Sequence, residues 1–243
     1  MEDKMEWLKI FGILFIALFS IGLVSALPTG PSSTTIIGST TYTSYSGANV
    51  SAIAGNVTEL NFAANTVTST WQGYFGNVTG TIVLGNANNQ SLYNWNLTSP
   101  AGQVYATRTS SVPTWASIRC ANQTEVDSED VTLGVDASVD QDSVNVTFLN
   151  TTSFSQFNVG TVGINSSQDC RAVNLYNGSS APSVNFAEVL LSDTSNIIYT
   201  GLIAKPGANG FDNKTHQFEM LVGENGHSGD TSATPYYFYL ELH

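Results

Sequence analysis

From Asn56 onward, apolar and polar residues alternate in short stretches rich in β-branched and aromatic side chains, the pattern of half-buried strands. The stretches are Val57–Phe62, Gly80–Leu84, Ser91–Leu97, Gln103–Thr107, Trp115–Arg119, Ser143–Phe148, Asn185–Leu191, Asn196–Ile203, Gln217–Val222 and Pro235–Leu242. Turn residues separate them at Gly85-Asn86, Ser99-Pro100-Ala101-Gly102, Asn177-Gly178, Asn209-Gly210 and Asn225-Gly226. Only Thr124–Gly134 has room for a turn or two of helix. Many short strands without intervening helices predict an all-β domain over residues 56–243, an antiparallel two-sheet sandwich of Ig-like or jelly-roll-like type. The last stretch, Tyr236–Leu242, is aromatic on both faces. It predicts a central strand, or an edge strand that a partner covers.

Two segments precede that domain. Ile10–Ala26 is an uncharged apolar run behind Lys4 and Lys9, and it ends in the small residues Val24-Ser25-Ala26. Its length fits a signal peptide or a membrane anchor over residues 1–26, and both readings stay open. No Lys or Arg follows Lys9 until Arg108, so the positive-inside bias keeps the N-terminus cytoplasmic and places the rest at the cell surface or outside it. Residues 27–55 form an uncharged arm rich in Ser, Thr and Gly. The arm reads as a flexible or O-glycosylated stalk, or as an extended strand that pairs with the sheet of a neighbouring subunit.

Charge narrows the partners. Charged residues make up 11% of the chain against the usual quarter, and the net charge is −12, so nucleic acid is excluded as a ligand. Polarity comes from Asn, Ser and Thr. N-x-[ST] acceptor sites begin at Asn49, Asn56, Asn77, Asn89, Asn96, Asn122, Asn145, Asn150, Asn165, Asn177 and Asn213. On an exported chain this density predicts N-linked glycans, each of which needs a solvated face. Cys120 and Cys170 are the only cysteines, and in an oxidising compartment they predict one disulfide.

Several phrases carry a resemblance. Ala54-Gly55-Asn56-Val57-Thr58-Glu59-Leu60-Asn61 is followed by Trp71-Gln72-Gly73-Tyr74-Phe75-Gly76-Asn77-Val78-Thr79-Gly80, then by Leu92-Tyr93-Asn94-Trp95, Gln103-Val104-Tyr105-Ala106, Ile118-Arg119-Cys120-Ala121-Asn122, Glu224-Asn225-Gly226-His227 and Tyr236-Tyr237-Phe238-Tyr239. Together they resemble a family of uncharacterised secreted archaeal surface proteins, which implies location and architecture and no reaction. In layout alone, a β-sandwich behind a Ser/Thr-rich extension is similar to the subunits of donor-strand pili.

Little in the chain suggests chemistry. Asp127, Glu129 and Asp130 head an acidic stretch that reads as a weak Ca²⁺ site or as a solvated loop, and it lacks the EF-hand pattern. Trp71, Tyr74 and Trp95 read as core or subunit-interface aromatics, or as a sugar-stacking platform. No nucleophile–base motif, HExxH or nucleotide loop occurs. The expectation is a structural surface protein that self-associates into a filament or surface layer, with a membrane-anchored adhesin or carbohydrate-binding module as the alternative, and no enzyme.

Overall fold

The structure, a computed structural model, describes residues 27–43, 45–178, 181–225 and 233–243. The Ile10–Ala26 run and His227 lie outside the described residues. The chain is mostly β, and every strand pairing is antiparallel. In chain order the strands are β1 (Trp71–Gly76), β2 (Gly80–Gly85), β3 (Ser91–Leu97), β4 (Gly102–Thr107), β5 (Arg119–Cys120), β6 (Phe157–Val159) and β7 (Val162–Ile164). They continue with β8 (Ala172–Asn177), β9 (Ala181–Ser192), β10 (Ile197–Leu202), β11 (Ala208–Asn209), β12 (Thr215–His216), β13 (Phe218–Gly223) and β14 (Tyr237–Leu242). Two helices, α1 (Gln123–Leu133) and α2 (Val144–Thr147), lie between β5 and β6.

One six-stranded sheet organises the domain, in the order β14-β4-β10-β9-β5, with β8 sharing the outer edge of β9. Strand alternation sends successive side chains to opposite faces, and here both faces are buried. Tyr105, Ala187, Val189, Leu191, Ile198 and Tyr239 pack on one face beneath Trp115, Ile118, Phe154 and the β6–β7 hairpin. Val104, Ala106, Leu190 and Tyr199 pack on the other, against Val126 and Leu133 of α1, Val144 and Phe148 at α2, and Met220 and Val222 of β13. Strand β13 pairs with β1, so the ribbon β1–β13 and the two helices make the second layer of that face.

Two expected strands are absent and a third is cut short. Val57–Phe62 is exposed and has no strand partner among the described residues, where the first strand begins at Trp71. Trp115–Arg119 opens as a 3-10 turn at Trp115–Ser117 that drops the Trp115 ring into the core, leaving two residues for β5. Ser143–Phe148 is helical. The Ser143 hydroxyl accepts the Val146 N–H, and Asp130 of α1 accepts the Val144 and Asn145 N–H groups, so capping from outside the segment overrides its β propensity. The helix expected near Thr124–Gly134 is present as α1. It starts in a capping box between Asn122 and Glu125 and ends at Gly134 in the left-handed region.

Buried carboxyls tie the layers together. Glu188 of β9 is fully buried, and its Oε2 accepts the Leu221 N–H of β13 at 2.7 Å while Oε1 has no hydrogen-bond partner. Burial drives its pKa well above the ordinary carboxyl value, against the smaller opposing effect of the Leu221 hydrogen bond. A raised folded-state pKa contributes stability that is full below the unfolded value near 4.5 and is lost as pH rises through the folded value. Glu188→Gln keeps an acceptor for Leu221 and removes the titration. Its stability relative to the wild type is expected to improve steadily from pH 5 to pH 8 in urea denaturation. Parallel pH curves for the two proteins would show that Glu188 titrates normally.

Candidate assembly surface

Strand β14 forms one edge of the sheet. Along β14, the residues facing β4 pair over the full length of the strand, whereas the outward N–H and C=O of Leu240 meet only Thr29, at 2.8 and 2.9 Å. By strand alternation, Phe238 and Leu242 turn the same groups outward. Among the described residues, Thr29 is the only backbone partner on that edge. An edge strand with free ladder groups accepts a further strand. The opposite side of the sheet ends in β5 and β8, which line up along β9, with one isolated bridge from Leu149 to Ala172 beyond β8.

Beyond Thr29 the chain leaves the domain. Residues 30–69 form no described strand, and Ile36 and Ile37 are 86% and 99% exposed. Val57 and Phe62 are also exposed. The arm rejoins the domain where the Thr68 hydroxyl donates to the Asp142 carboxylate and Trp71 Nε1 donates to the Asp142 carbonyl at 2.6 Å. Roughly 40 extended residues reach about 130 Å, several times the width of a small domain.

A second projection follows β1. Strands β2 and β3 pair only with each other, in a hairpin whose loop is held by Asn86: its side chain accepts the N–H groups of Asn88 and Gln90. Asn89 takes the left-handed conformation there, one that Asn tolerates better than most side chains. Most of the hairpin is exposed, including Trp95 at 48%, and the Tyr93 and Trp95 rings meet edge-on at 4.9 Å.

The three aromatics singled out in the sequence fall in different settings. Trp71 is half-buried, packing against Phe148 and edge-on against Tyr199. Tyr74 lies against Phe238 of β14, with centroids 5.2 Å apart, and its hydroxyl pKa is raised by burial. Only Trp95 belongs to an exposed aromatic pair. Tyr93, its partner, was marked in the sequence only by the alternation and by the Leu92-Tyr93-Asn94-Trp95 phrase.

The acidic stretch is helical, and its carboxylates already have donors. Glu129 forms a bidentate pair with Arg108, at 2.7 and 2.5 Å, and accepts the Tyr199 hydroxyl at 2.8 Å. Asp130 caps α2. Asp127 accepts from the Gln123 and Asn145 side-chain amides, and these bonds hold its pKa below the ordinary value. Among the described residues no group of three or more His, Cys, Asp or Glu is arranged to hold a metal ion.

Beside this helix lies a cavity of about 270 Å³ lined by hydroxyls of Thr107, Thr109, Thr124, Ser128, Thr132 and Ser192. Its carboxylates are Glu129 and Glu125, the latter clamped by Arg119 at 2.8 and 2.7 Å. Burial raises the Glu125 pKa, but hydrogen bonds from Arg119, the Asn122 N–H and Ser192 outweigh it, and the net value is lowered. With both acids clamped by arginines and the Ser192 hydroxyl donated to Glu125, this cavity presents neither an activated nucleophile nor a free base.

Most glycan acceptors face water. Asn49, Asn56, Asn77, Asn89, Asn96, Asn122, Asn150 and Asn213 are exposed; Asn145, Asn165 and Asn177 are half-buried. Asn122 caps α1 through its side-chain oxygen and so leaves its nitrogen for a sugar. Asn145 differs, because its nitrogen donates to Asp127 at 2.8 Å and Asp130 at 2.9 Å. A glycan leaves that nitrogen one hydrogen and breaks one of the two bonds.

Comparison with protein-family models, curated proteins and solved structures finds no match to this chain. The surface itself carries the functional argument. Among the described residues no helix is long and apolar enough to cross a membrane.

Proposed function

We propose that this chain is an extracellular structural subunit, exported by residues 1–26, clothed in N-linked glycans and self-assembling into a filament or surface layer. The carrying observation is an exposed arm that forms no described strand, beside an edge strand engaged by a single bridge among the described residues. Arms of this kind pair with the open edge of a neighbour, gaining backbone hydrogen bonds and burying apolar side chains at once. The six-stranded sheet faced by ribbon β1–β13 supports reading the domain as a two-layer sandwich, Ig-like or jelly-roll-like. Membership of the archaeal surface-protein family is part of the same reading and is supported by the motifs quoted above.

The experiment removes residues 30–55 and compares polymers by electron microscopy and light scattering. Few described contacts of the folded domain rest on that segment, so the truncated protein is expected to unfold within about 3 °C of the parent while forming no polymers. Polymers from the truncated protein would sink the proposal. The exposed Tyr93–Trp95 pair favours one alternative, an anchored adhesin or carbohydrate-binding module. That alternative requires a monodisperse monomer that loses glycan binding in Trp95→Ala.

A further inference from the structure

The β2–β3 hairpin carries an apolar face that its own domain leaves open. Register pairs Ile82 with Trp95 and Leu84 with Tyr93, so these four side chains share one face with Gly80 and Leu97. Thr81, Val83, Asn94 and Asn96 occupy the other face, where the Thr81 hydroxyl lies 3.4 Å from the Asn96 side-chain oxygen. The apolar face begins at the open edge of the sheet: a Cβ on Gly80 would come 2.5 Å from Leu242 Cδ1, and Leu242 ends β14. The edge strand and the hairpin face therefore form one continuous track.

Two further observations say what fits that track. The acceptor Asn96 opens on the face it shares with Thr81 and Val83, and Asn77 and Asn89 sit at the base and tip of the hairpin, so no acceptor site lies on the face of Ile82, Leu84, Tyr93 and Trp95. Charge then selects the occupant. From Leu60 to Thr107 the chain has no charged residue, and neither does the stretch Leu27–Thr58. Two copies that each carry a net −12 repel wherever their charged surfaces meet, so uncharged surface on one is matched by uncharged surface on the other. Ile36 and Ile37 are consecutive, so in an extended chain they point to opposite sides, and burying both requires a wall on each side.

We propose that the apolar face of the β2–β3 hairpin receives the N-terminal arm of a second copy of this chain, continuing the track that starts on β14. This rests on the self-assembly reading and extends it, because the arm is held by side-chain burial as well as by edge pairing. Each copy offers one arm and one face, a heterologous contact that grows into a fibre when successive rotations do not close and gives a ring or an arm-exchanged dimer when they do.

The test uses the full chain with Leu84→Cys carrying a benzophenone maleimide, mixed with an isotope-labelled copy, irradiated and mapped by mass spectrometry. The expected adducts join the hairpin of one copy to residues 27–62 of the other, and the same label at Val83→Cys, on the opposite face, gives none. A double variant, Tyr93→Ser with Trp95→Ser, is expected to raise the concentration needed for polymers at least tenfold without loss of fold. Adducts confined to a single chain would assign the face to the chain's own arm and overturn the inference. So would adducts to any other segment, or polymers that form with no adduct at all, while leaving self-assembly intact. Absence of polymers from the full chain would overturn both.

Discussion

Reducing the Cys120–Cys170 disulfide, or replacing both cysteines by Ser, is expected to cost about 4 kcal/mol of stability, the chain-entropy value for a loop of about 50 residues. The bridge spans a sequence separation of 50 with Cα atoms 4.9 Å apart. Its position makes the loss local as well as global. Cys120 ends β5, which holds β9 through only two paired residues, and Cys170 precedes β8, which pairs along the same edge of β9. Between them run both helices and the β6–β7 hairpin, whose side chains cover the two faces of the sheet. At about 2–4 °C per kcal/mol for a chain of this size, the melting temperature is expected to fall by about 8–16 °C. Hydrogen exchange is expected to rise first around residues 119–121 and 168–172. A fall of less than about 1 kcal/mol would show that the unfolded chain is already restrained in this region.

Gly102→Ala is expected to be comparably damaging for a different reason. Gly102 begins β4 at φ +135°, a conformation that side chains with a Cβ rarely adopt. A Cβ there would lie 1.8 Å from the Glu241 carbonyl oxygen, which is backbone and cannot swing aside. Relief requires β14 to move off β4. Together the backbone strain and the overpacking are worth about 2–5 kcal/mol. Since β14 is the open edge, Gly102→Ala is also expected to weaken polymerisation beyond what its loss of stability explains. Denaturant midpoints together with assembly thresholds check both effects, and a variant as stable as the parent would contradict the register between β4 and β14.

Residues whose role is local were readable from the chain. The alternation in Ser91–Leu97, Gln103–Thr107 and Pro235–Leu242 located β3, β4 and β14, because a period of two needs no knowledge of the partner. Glycine and asparagine marked the β2–β3 and β11–β12 turns for the same reason. The cysteine pair was legible because only one pairing exists. Asp130 shows where such reading stops. In sequence it belongs to an acid cluster; in the fold it caps α2, and that contact turns Ser143–Phe148 from an expected strand into a helix.

By itself, then, the sequence determined the β character, the single disulfide, the uncharged arm and the density of glycan acceptors, since each follows from composition or from neighbours a few residues apart. Tertiary structure alone decided which strand stands at the open edge, because edge and centre differ only in the partners that long-range pairing supplies. It also decided that the acids of α1 are spent on Arg108, Tyr199 and the start of α2, and that Trp71 packs into the domain while Trp95 stays outside. The apolar face of β2–β3 is visible as alternation in the chain. That the described residues leave its side chains about half exposed is a fact of three-dimensional packing.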